Sequence, residues 1–219
     1  MKLLAIDTAT EACSVALTTD DEEVIERHHF DPRGHSDQLL PMVADVLAEA
    51  GLSPRNLDAV AFDSGPGSFT GIRIGLGVAQ GLVLGLNLQL VGISSLMALA
   101  EGSAANNVLP AIDARMGQVY WARLARDSSH AEGWIWHEEP QVSDPSAVPT
   151  LFDNEVRIGN GWQRYCELEK DGKSIDYGPL DTFPCATCVA MIARRLLVSR
   201  TWNSCLVQHP VYIRSSVTR

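Results

Sequence analysis

The sequence has 219 residues, of which 46% are hydrophobic and 20% are charged, and this composition excludes wholesale disorder. Its 17 basic and 27 acidic residues give a formal net charge of −10. Because an acidic chain repels phosphate backbones, we expect the chain alone to bind nucleic acid weakly.

The sequence also carries a prediction of compartment. The longest apolar run, residues 82–90, contains Gly85, Asn87 and Gln89 and is shorter than the roughly 20 residues that span a membrane. Asp7 comes too early for a signal peptide. We therefore expect a cytoplasmic protein without membrane association, whose 5 cysteines are reduced thiols.

The first half of the chain predicts an α/β lobe with the order β-β-β-α-β-α-β-α. Short turns make the first three strands antiparallel neighbours, and the later strand–helix–strand units should be parallel, right-handed crossovers. The predicted strands are 2–6, 13–18, 24–28, 57–62 and 88–92, and the predicted helices are 36–50, 70–86 and one that starts at 94.

The second half repeats the beginning of the first. Residues 110–113, Pro-Ala-Ile-Asp, echo residues 4–7, Leu-Ala-Ile-Asp, and Asp113 stands 106 residues after Asp7. A turn and another strand, predicted at 13–17 and 119–124, follow each copy. We interpret this as an internal duplication, with lobes at 1–105 and 106–219. Residues 128–153 predict strand fragments and loops, and 187–200 predict the last helix.

A Gly-rich segment, residues 65–75, follows a predicted strand and precedes a predicted helix. Such a loop can present backbone N–H groups to an anion, or it can be a tight strand-to-helix turn. It matches neither a Walker A loop nor a Rossmann fingerprint. Asp7 could hold a metal-bound phosphate beside it, and Asp113 occupies the matching place in the second half, although both could instead cap turns. The anion-site candidates are Asp7, Thr8, Gly65, Gly67, Ser68, Thr70 and Gly71.

The helices at 36–50 and 70–86 are more apolar than a single sheet-facing stripe requires. The first has a wide apolar arc, and the second carries three glycines on one side. This pattern predicts either deep core helices or a paired-helix surface for another chain. The candidate interface residues are Leu39, Leu40, Val43, Val46 and Leu47 in the first helix and Arg73, Ile74, Gly77, Gly81 and Gly85 in the second.

Other catalytic and metal patterns are weak. Cys185-x2-Cys188-x16-Cys205-x3-His209 has zinc-ligand spacing, but an apolar helix fills the spacer, so we favour buried thiols over zinc or a redox pair. His35, Ser36 and Asp37 are contiguous, whereas a catalytic triad is assembled from distant segments of the chain. The sequence therefore gives no sign of hydrolase chemistry. We predict no catalytic residue and no metal site.

Several motifs together resemble the bacterial TsaB family, also called YeaZ. They are residues 1–10, His35-Ser36, 63–75, 92–96, 111–115, 117–120 and the tail 210–214. The match spans nearly the whole chain, although 125–205 contribute little. The resemblance implies a two-lobed, actin-like (ASKHA, ribonuclease-H-like) α/β fold, with mixed sheets flanked by helices.

The resemblance also implies a function in tRNA modification. In that family the chain is a non-catalytic activator of its paralogue TsaD, which adds a threonylcarbamoyl group to the adenosine 3′ of the anticodon. TsaD holds a metal with paired histidines, and here residues 94–98, Ser-Ser-Leu-Met-Ala, stand at their place. Expected partners are TsaD, the ATPase TsaE and a second copy, with tRNA bound only through the complex. ATP and metal belong to the partners, and the isolated chain needs no cofactor. The alternatives are an actin-like ATPase, an M22-type peptidase or a tRNA-binding module.

Overall fold

The computed structural model describes residues 1–20, 23–31, 34–165, 182–199 and Ile213. Its first sheet has the strand order β3-β2-β1-β4-β5. Strands β1, β2 and β3 are antiparallel neighbours, and β1–β4 and β4–β5 are parallel, which confirms the predicted topology. The strands are β1 (Leu3–Asp7), β2 (Ala12–Thr18), β3 (Val24–Phe30), β4 (Ala59–Gly65) and β5 (Gln89–Ser94).

Helices cover both faces of this sheet. On one face, α1 (His35–Glu49) and α2 (Phe69–Leu86) pack over Leu4 and Ile6 of β1. On the other, α3 (Ser95–Gly102) and α5 (Ala186–Ser199) pack over Leu3 and Ala5. Because successive side chains of a strand point to opposite faces, residues 3–6 of β1 must all be apolar to serve both layers.

The second sheet repeats the first in strand order. It runs β8-β7-β6-β9, built from β6 (Asn107–Arg115), β7 (Gln118–Arg126), β8 (Trp134–Ser143) and β9 (Glu155–Ile158). Strands β6, β7 and β8 are antiparallel neighbours and β6–β9 is parallel, as in β1, β2, β3 and β4. A short helix, α4 (Asn160–Arg164), follows β9 as α2 follows β4. This correspondence supports an internal duplication.

One prediction for the second half was wrong. Residues 128–153 were expected to form strand fragments and loops, but β8 is a continuous strand of 10 residues. Its alternating burial is typical of an edge strand with one solvent face, and an edge strand tolerates Pro140 because that position needs no ladder donor. The sequence analysis also missed β9 and α4, which are only 4 and 5 residues long.

A shared core joins the two sheets. Helix α5, from the second half, packs against β1, β2, β4 and β5, and α3 contacts β6 and β7. Within this core Glu101 of α3 accepts two hydrogen bonds from Arg195 of α5, both 2.9 Å, and one of 2.6 Å from Trp134 Nε1 of β8. From the sequence we also expect the C-terminal tail to pack back on the N-terminal lobe, but apart from Ile213 the residues after 199 lie outside the described part of the chain.

The turn between β4 and α2 packs tightly against the turn between β1 and β2. A methyl group placed on Gly67 would lie 2.2 Å from the carbonyl oxygen of Ala9, and one on Gly71 would lie 2.0 Å from that of Thr8. A methyl group on Gly75 would lie 2.4 Å from Thr8 Oγ1. Only glycine permits this approach. The three glycines therefore fix how α2 leaves the sheet.

We predict opposite effects of alanine at two glycines of α2. Gly71→Ala should destabilise the chain by about 1–3 kcal/mol, because its methyl group meets backbone. Gly77→Ala should stabilise the isolated monomer by about 0.5–1 kcal/mol, because its methyl group meets no atom within 4 Å and alanine favours helix. Urea unfolding at a concentration where the chain is monomeric measures both. Equal effects would contradict the packing described above.

Candidate functional site

Two carboxyl groups lie side by side at the carboxyl ends of the parallel strands β1 and β4. Asp7 Oδ1 accepts a hydrogen bond of 2.9 Å from the backbone N–H of Ala9. Asp63 Oδ1 accepts one of 2.8 Å from the N–H of Gly65 and another from Ser95 Oγ. The Oδ2 atoms of both residues are buried without a hydrogen-bond partner.

The two carboxyl groups influence each other's pKa. Burial, and then the negative charge of Asp63, raise the pKa of Asp7 well above its usual value. Burial raises the pKa of Asp63 to about 6, against the donors Ser95 and Gly65 that favour its ionised form. Both groups therefore keep their protons to a higher pH than a free aspartic acid does. Sequence analysis found Asp7 but missed Asp63 and Ser95, since β4 was predicted to end at residue 62.

The Gly-rich loop lies beside this pair, and its donors are used within the chain. The N–H of Ser68 donates to Ala9 O at 2.7 Å, and that of Gly71 to Ser68 Oγ at 3.2 Å. Thr8 Oγ1 donates to Gly71 O at 2.8 Å. The N–H of Gly65 is held by Asp63. The residues predicted to bind an anion thus lie close together, with Ser68 and Thr70 exposed, and the close packing of the turn explains Gly67 and Gly71.

In the second lobe, Asp113 is neutralised by arginines. Arg115 Nη1 lies 3.0 Å and Arg164 Nε 3.2 Å from Asp113 Oδ2, and Tyr165 donates to Oδ1 at 3.1 Å. Arg115 Nη2 also reaches Glu11 Oε1 of the first lobe at 2.5 Å. The chain's own guanidinium groups therefore supply the positive charge beside Asp113, and one of them connects the two lobes.

The predicted interface residues divide into two groups. Leu39, Val43, Val46 and Leu47 are at most 4% exposed and belong to the core of the first lobe. Leu40 is 57% exposed, and Arg73, Gly77, Gly81 and Gly85 lie on the solvent side of α2, with Ile74 half-buried.

The outer face of α2 is apolar and open. Leu84 is 71% exposed, and Phe69, which is 58% exposed, lies under the Arg73 guanidinium at 3.2 Å. Methyl groups on Gly77, Gly81 and Gly85 would meet nothing within 4 Å. Among the described residues, α2 alone is long and apolar enough to cross a membrane by length and composition. Core helices pass the same test, and α2 packs on β4 with its other face.

The zinc prediction can be tested only in part. Cys185 and Cys188 are buried at the start of α5, whereas Cys205 and His209 lie outside the described residues. Within the described ranges, no group of three or more His, Cys, Asp and Glu side chains could hold a metal ion.

We predict that Asp63→Asn alters how stability depends on pH. A carboxyl group whose pKa is higher in the folded chain stabilises it at low pH, and this contribution is lost as pH rises. For Asp63 the loss falls between about pH 4, its unfolded value, and about pH 6. The variant lacks this loss, so its free energy of unfolding relative to wild type should rise by about 1–3 kcal/mol across that window.

Urea unfolding at several pH values between 4 and 7 measures this difference. Asp45→Asn, which removes an exposed carboxylate on α1, is the matched control and should follow the wild type. Parallel curves for Asp63→Asn and wild type would refute the raised pKa of Asp63.

Comparison with known proteins identifies the family. The chain is 42% identical to the tRNA threonylcarbamoyladenosine biosynthesis protein TsaB of Escherichia coli, covering 99% of this chain and 96% of the relative. It is 39% identical to the TsaB of Haemophilus influenzae, covering 100% and 95%. A family model described as TsaD: tRNA N6-adenosine threonylcarbamoyltransferase matches residues 30–132.

Solved structures agree. YeaZ from Pseudomonas aeruginosa superposes with a TM-score of 0.84 at 34% identity, covering 96% of this chain and 99% of that one. A second structure, described as an uncharacterized protein with similarity to peptidase YEAZ from Pseudomonas aeruginosa, gives 0.85 at 33%, covering 97% and 99%. The predicted two-lobed, actin-like α/β fold is confirmed. Since identity extends over the whole length of both the chain and its relatives, the chain belongs to the TsaB family.

Proposed function

We propose that this chain is a non-catalytic partner that binds TsaD and activates it in the transfer of a threonylcarbamoyl group to tRNA. The named relatives support a role in tRNA threonylcarbamoyladenosine biosynthesis. The chemistry of the site supports a helper role, because the raised pKa of buried Asp7 disfavours its ionised form and Asp113 is paired with Arg115 and Arg164. Neither carboxylate is left to hold a metal-bound phosphate.

The observation that carries the proposal is the outer face of α2. Each interior glycine of a helix costs about 0.5–1 kcal/mol relative to alanine, and none of the residues that the structure describes occupies the open sides of Gly77, Gly81 and Gly85. Glycines let a second helix approach closely, and Leu84 and Phe69 add apolar area worth about 25 cal/mol per Å² buried. The face is therefore suited to a helix of another chain.

The likeness to TsaD suggests which chain that is. The TsaD family model matches residues 30–132, a range that contains both α1 and α2. A surface that pairs with its own copy about a twofold axis can also pair with a paralogue that carries the same two helices. We therefore propose that α1 and α2 form a homodimer when the chain is alone and a heterodimer with TsaD in the complex.

The remaining roles follow from this assignment. TsaD and TsaE supply the metal and ATP chemistry in the cytoplasm, and tRNA contacts this chain only through the complex. The net charge of −10 supports indirect tRNA binding, because the chain has few cations to neutralise phosphates.

We predict that charged substitutions on this face abolish association without unfolding the chain. Leu40→Asp on α1 and Leu84→Asp on α2 place a carboxylate at exposed leucines, so folding should tolerate them, whereas an interface would bury the charge. Sedimentation velocity should show monomers, and a TsaD pull-down should fail. Tm should stay within about 2–4 °C of wild type, as a surface change allows.

The readout of function is threonylcarbamoyladenosine in tRNA, measured by mass spectrometry after reconstitution with TsaD, TsaE and the enzyme that makes the threonylcarbamoyl adenylate. Omitting this chain, or adding either Asp variant, should remove most of the product. Val198→Asp, which changes an exposed apolar residue of α5, should preserve it. Normal pairing by a folded Leu40→Asp or Leu84→Asp variant would exclude this face, and full activity without the chain would exclude the activator role.

We also predict that the isolated chain binds ATP no more tightly than the millimolar range. The loop donors of Gly65, Ser68 and Gly71 are already bonded, and a phosphate would have to lie beside two carboxyl groups. Isothermal titration calorimetry with ATP and Mg²⁺ tests this, and micromolar affinity would instead favour an actin-like ATPase.

A further inference from the structure

The first turn of α5 holds two thiols in contact. The sulfur atoms of Cys185 and Cys188 lie 3.4 Å apart, and both residues are 7% exposed. Cys185 is the last residue before the helix, since its carbonyl oxygen accepts the helical hydrogen bond from Val189 N at 3.1 Å. A disulfide places its sulfur atoms about 2.05 Å apart, so small side-chain rotations would suffice to join them.

Cys185 takes the position of a helix N-cap. The N–H groups of Ala186 and Thr187 donate to Ser14 Oγ at 2.8 Å and to Glu26 Oε1 at 3.2 Å. The third N–H, that of Cys188, donates to the Cys185 sulfur. Ser, Thr, Asp or Asn is the usual acceptor at this position, and a thiolate fills it better than a neutral thiol.

The surroundings shift the pKa values of the two thiols in opposite directions. The hydrogen bond from Cys188 lowers the pKa of Cys185, with a smaller contribution from the Cys188 N–H, although burial and Glu26 oppose this. His28, whose own pKa is raised by its 3.0 Å contact with Glu26, lies near enough to favour the thiolate. The hydrogen bond with Cys185 and burial raise the pKa of Cys188. Cys185 is therefore the nucleophile and Cys188 the resolving thiol.

We propose that Cys185 and Cys188 form a reversible dithiol–disulfide couple that exchanges with small disulfides of the glutathione class. The Cys185 thiolate attacks one sulfur of the small disulfide, forming a mixed disulfide and releasing one thiolate. Cys188 then loses its proton and attacks the Cys185 sulfur, which forms the intramolecular disulfide and releases the second thiolate. Starting from the Cys185 thiolate, the protein loses two electrons and the one proton of Cys188, and the small disulfide takes them up and leaves as one thiolate and one thiol.

Oxidation would change the contacts of α5 with the first sheet. It removes the ionisable thiol of Cys185, whose ionised form raises the pKa of Asp7. It also replaces a strong acceptor for the Cys188 N–H with a weaker one. Since α5 is packed against β1 and β2, the redox state should alter the stability of the core that joins the two sheets. This inference does not depend on the proposed function.

The folded, full-length chain is equilibrated with glutathione buffers of increasing [GSH]²/[GSSG]. The exchange is quenched with acid, free thiols are alkylated, and the state of each cysteine is determined by mass spectrometry. We expect the 185–188 disulfide to go from nine tenths to one tenth oxidised over about an 80-fold change in that ratio, as a single two-electron couple requires. Cys13 is the internal control and should stay reduced, because burial and then Asp7 raise its pKa to about 12.

Two variants test the assigned order of attack. Cys188→Ala should trap glutathione on Cys185, because no resolving thiol remains. Cys185→Ala should leave Cys188 at least about tenfold slower to react. Cys185→Ser, which retains an N-cap acceptor, controls for loss of helix stability and should melt near the reduced wild type. Absence of a 185–188 disulfide at every ratio, its appearance only after unfolding, or pairing of these cysteines with Cys166 or Cys205 would overturn the proposal.

Discussion

The close approach of two turns, β1–β2 and β4–α2, is the constraint on which the first lobe depends. Glycine at 67, 71 and 75 lets backbone atoms of the second turn meet Thr8 and Ala9 at distances that a side chain would forbid. The contact buries Asp7 and Asp63 beneath it and uses the loop's donors. It also sets the exit direction of α2, whose outer face then remains open.

In the second lobe, glycines likewise allow the start of a helix to approach a strand closely. A methyl group on Gly159 would lie 2.2 Å from Ala111 O, and one on Gly161 would lie 2.9 Å from its carbonyl carbon. There the start of α4 meets β6 as the start of α2 meets the end of β1. The two lobes differ in charge, however, because burial raises the pKa values of the carboxyl pair in the first lobe, whereas Asp113 of the second lobe is paired with arginines. In both lobes the chain's own residues and protonation reduce the cost of burying a carboxyl group.

The strand pairing of the first sheet and most helix limits could be predicted, because short turns and crossover rules leave few topologies for the order β-β-β-α-β-α-β-α. Helix α1, predicted at 36–50, runs His35–Glu49. Prediction failed where contacts with distant segments of the same chain decide the local structure. Strand β8 depends on its pairing with β7, and β4 extends to Gly65 because Asp63 and Ser64 form hydrogen bonds inside the core. The residues next to Ser95 in the sequence give no sign that its hydroxyl donates a hydrogen bond to Asp63, which lies near the end of β4.

The glycines of α2 show how one pattern can serve two purposes. Sequence analysis assigned Gly71 to the anion-site candidates and Gly77, Gly81 and Gly85 to the interface candidates, but it could not tell which of them the fold itself requires. The structure separates them, because a methyl group on Gly71 or Gly75 would lie within 2.4 Å of another atom, whereas one on the other three would meet nothing within 4 Å. A glycine that packs tightly inside the chain is explained by its own fold. A glycine that costs helix stability and contacts none of the described residues is explained by a second chain, and so the outer glycines support association.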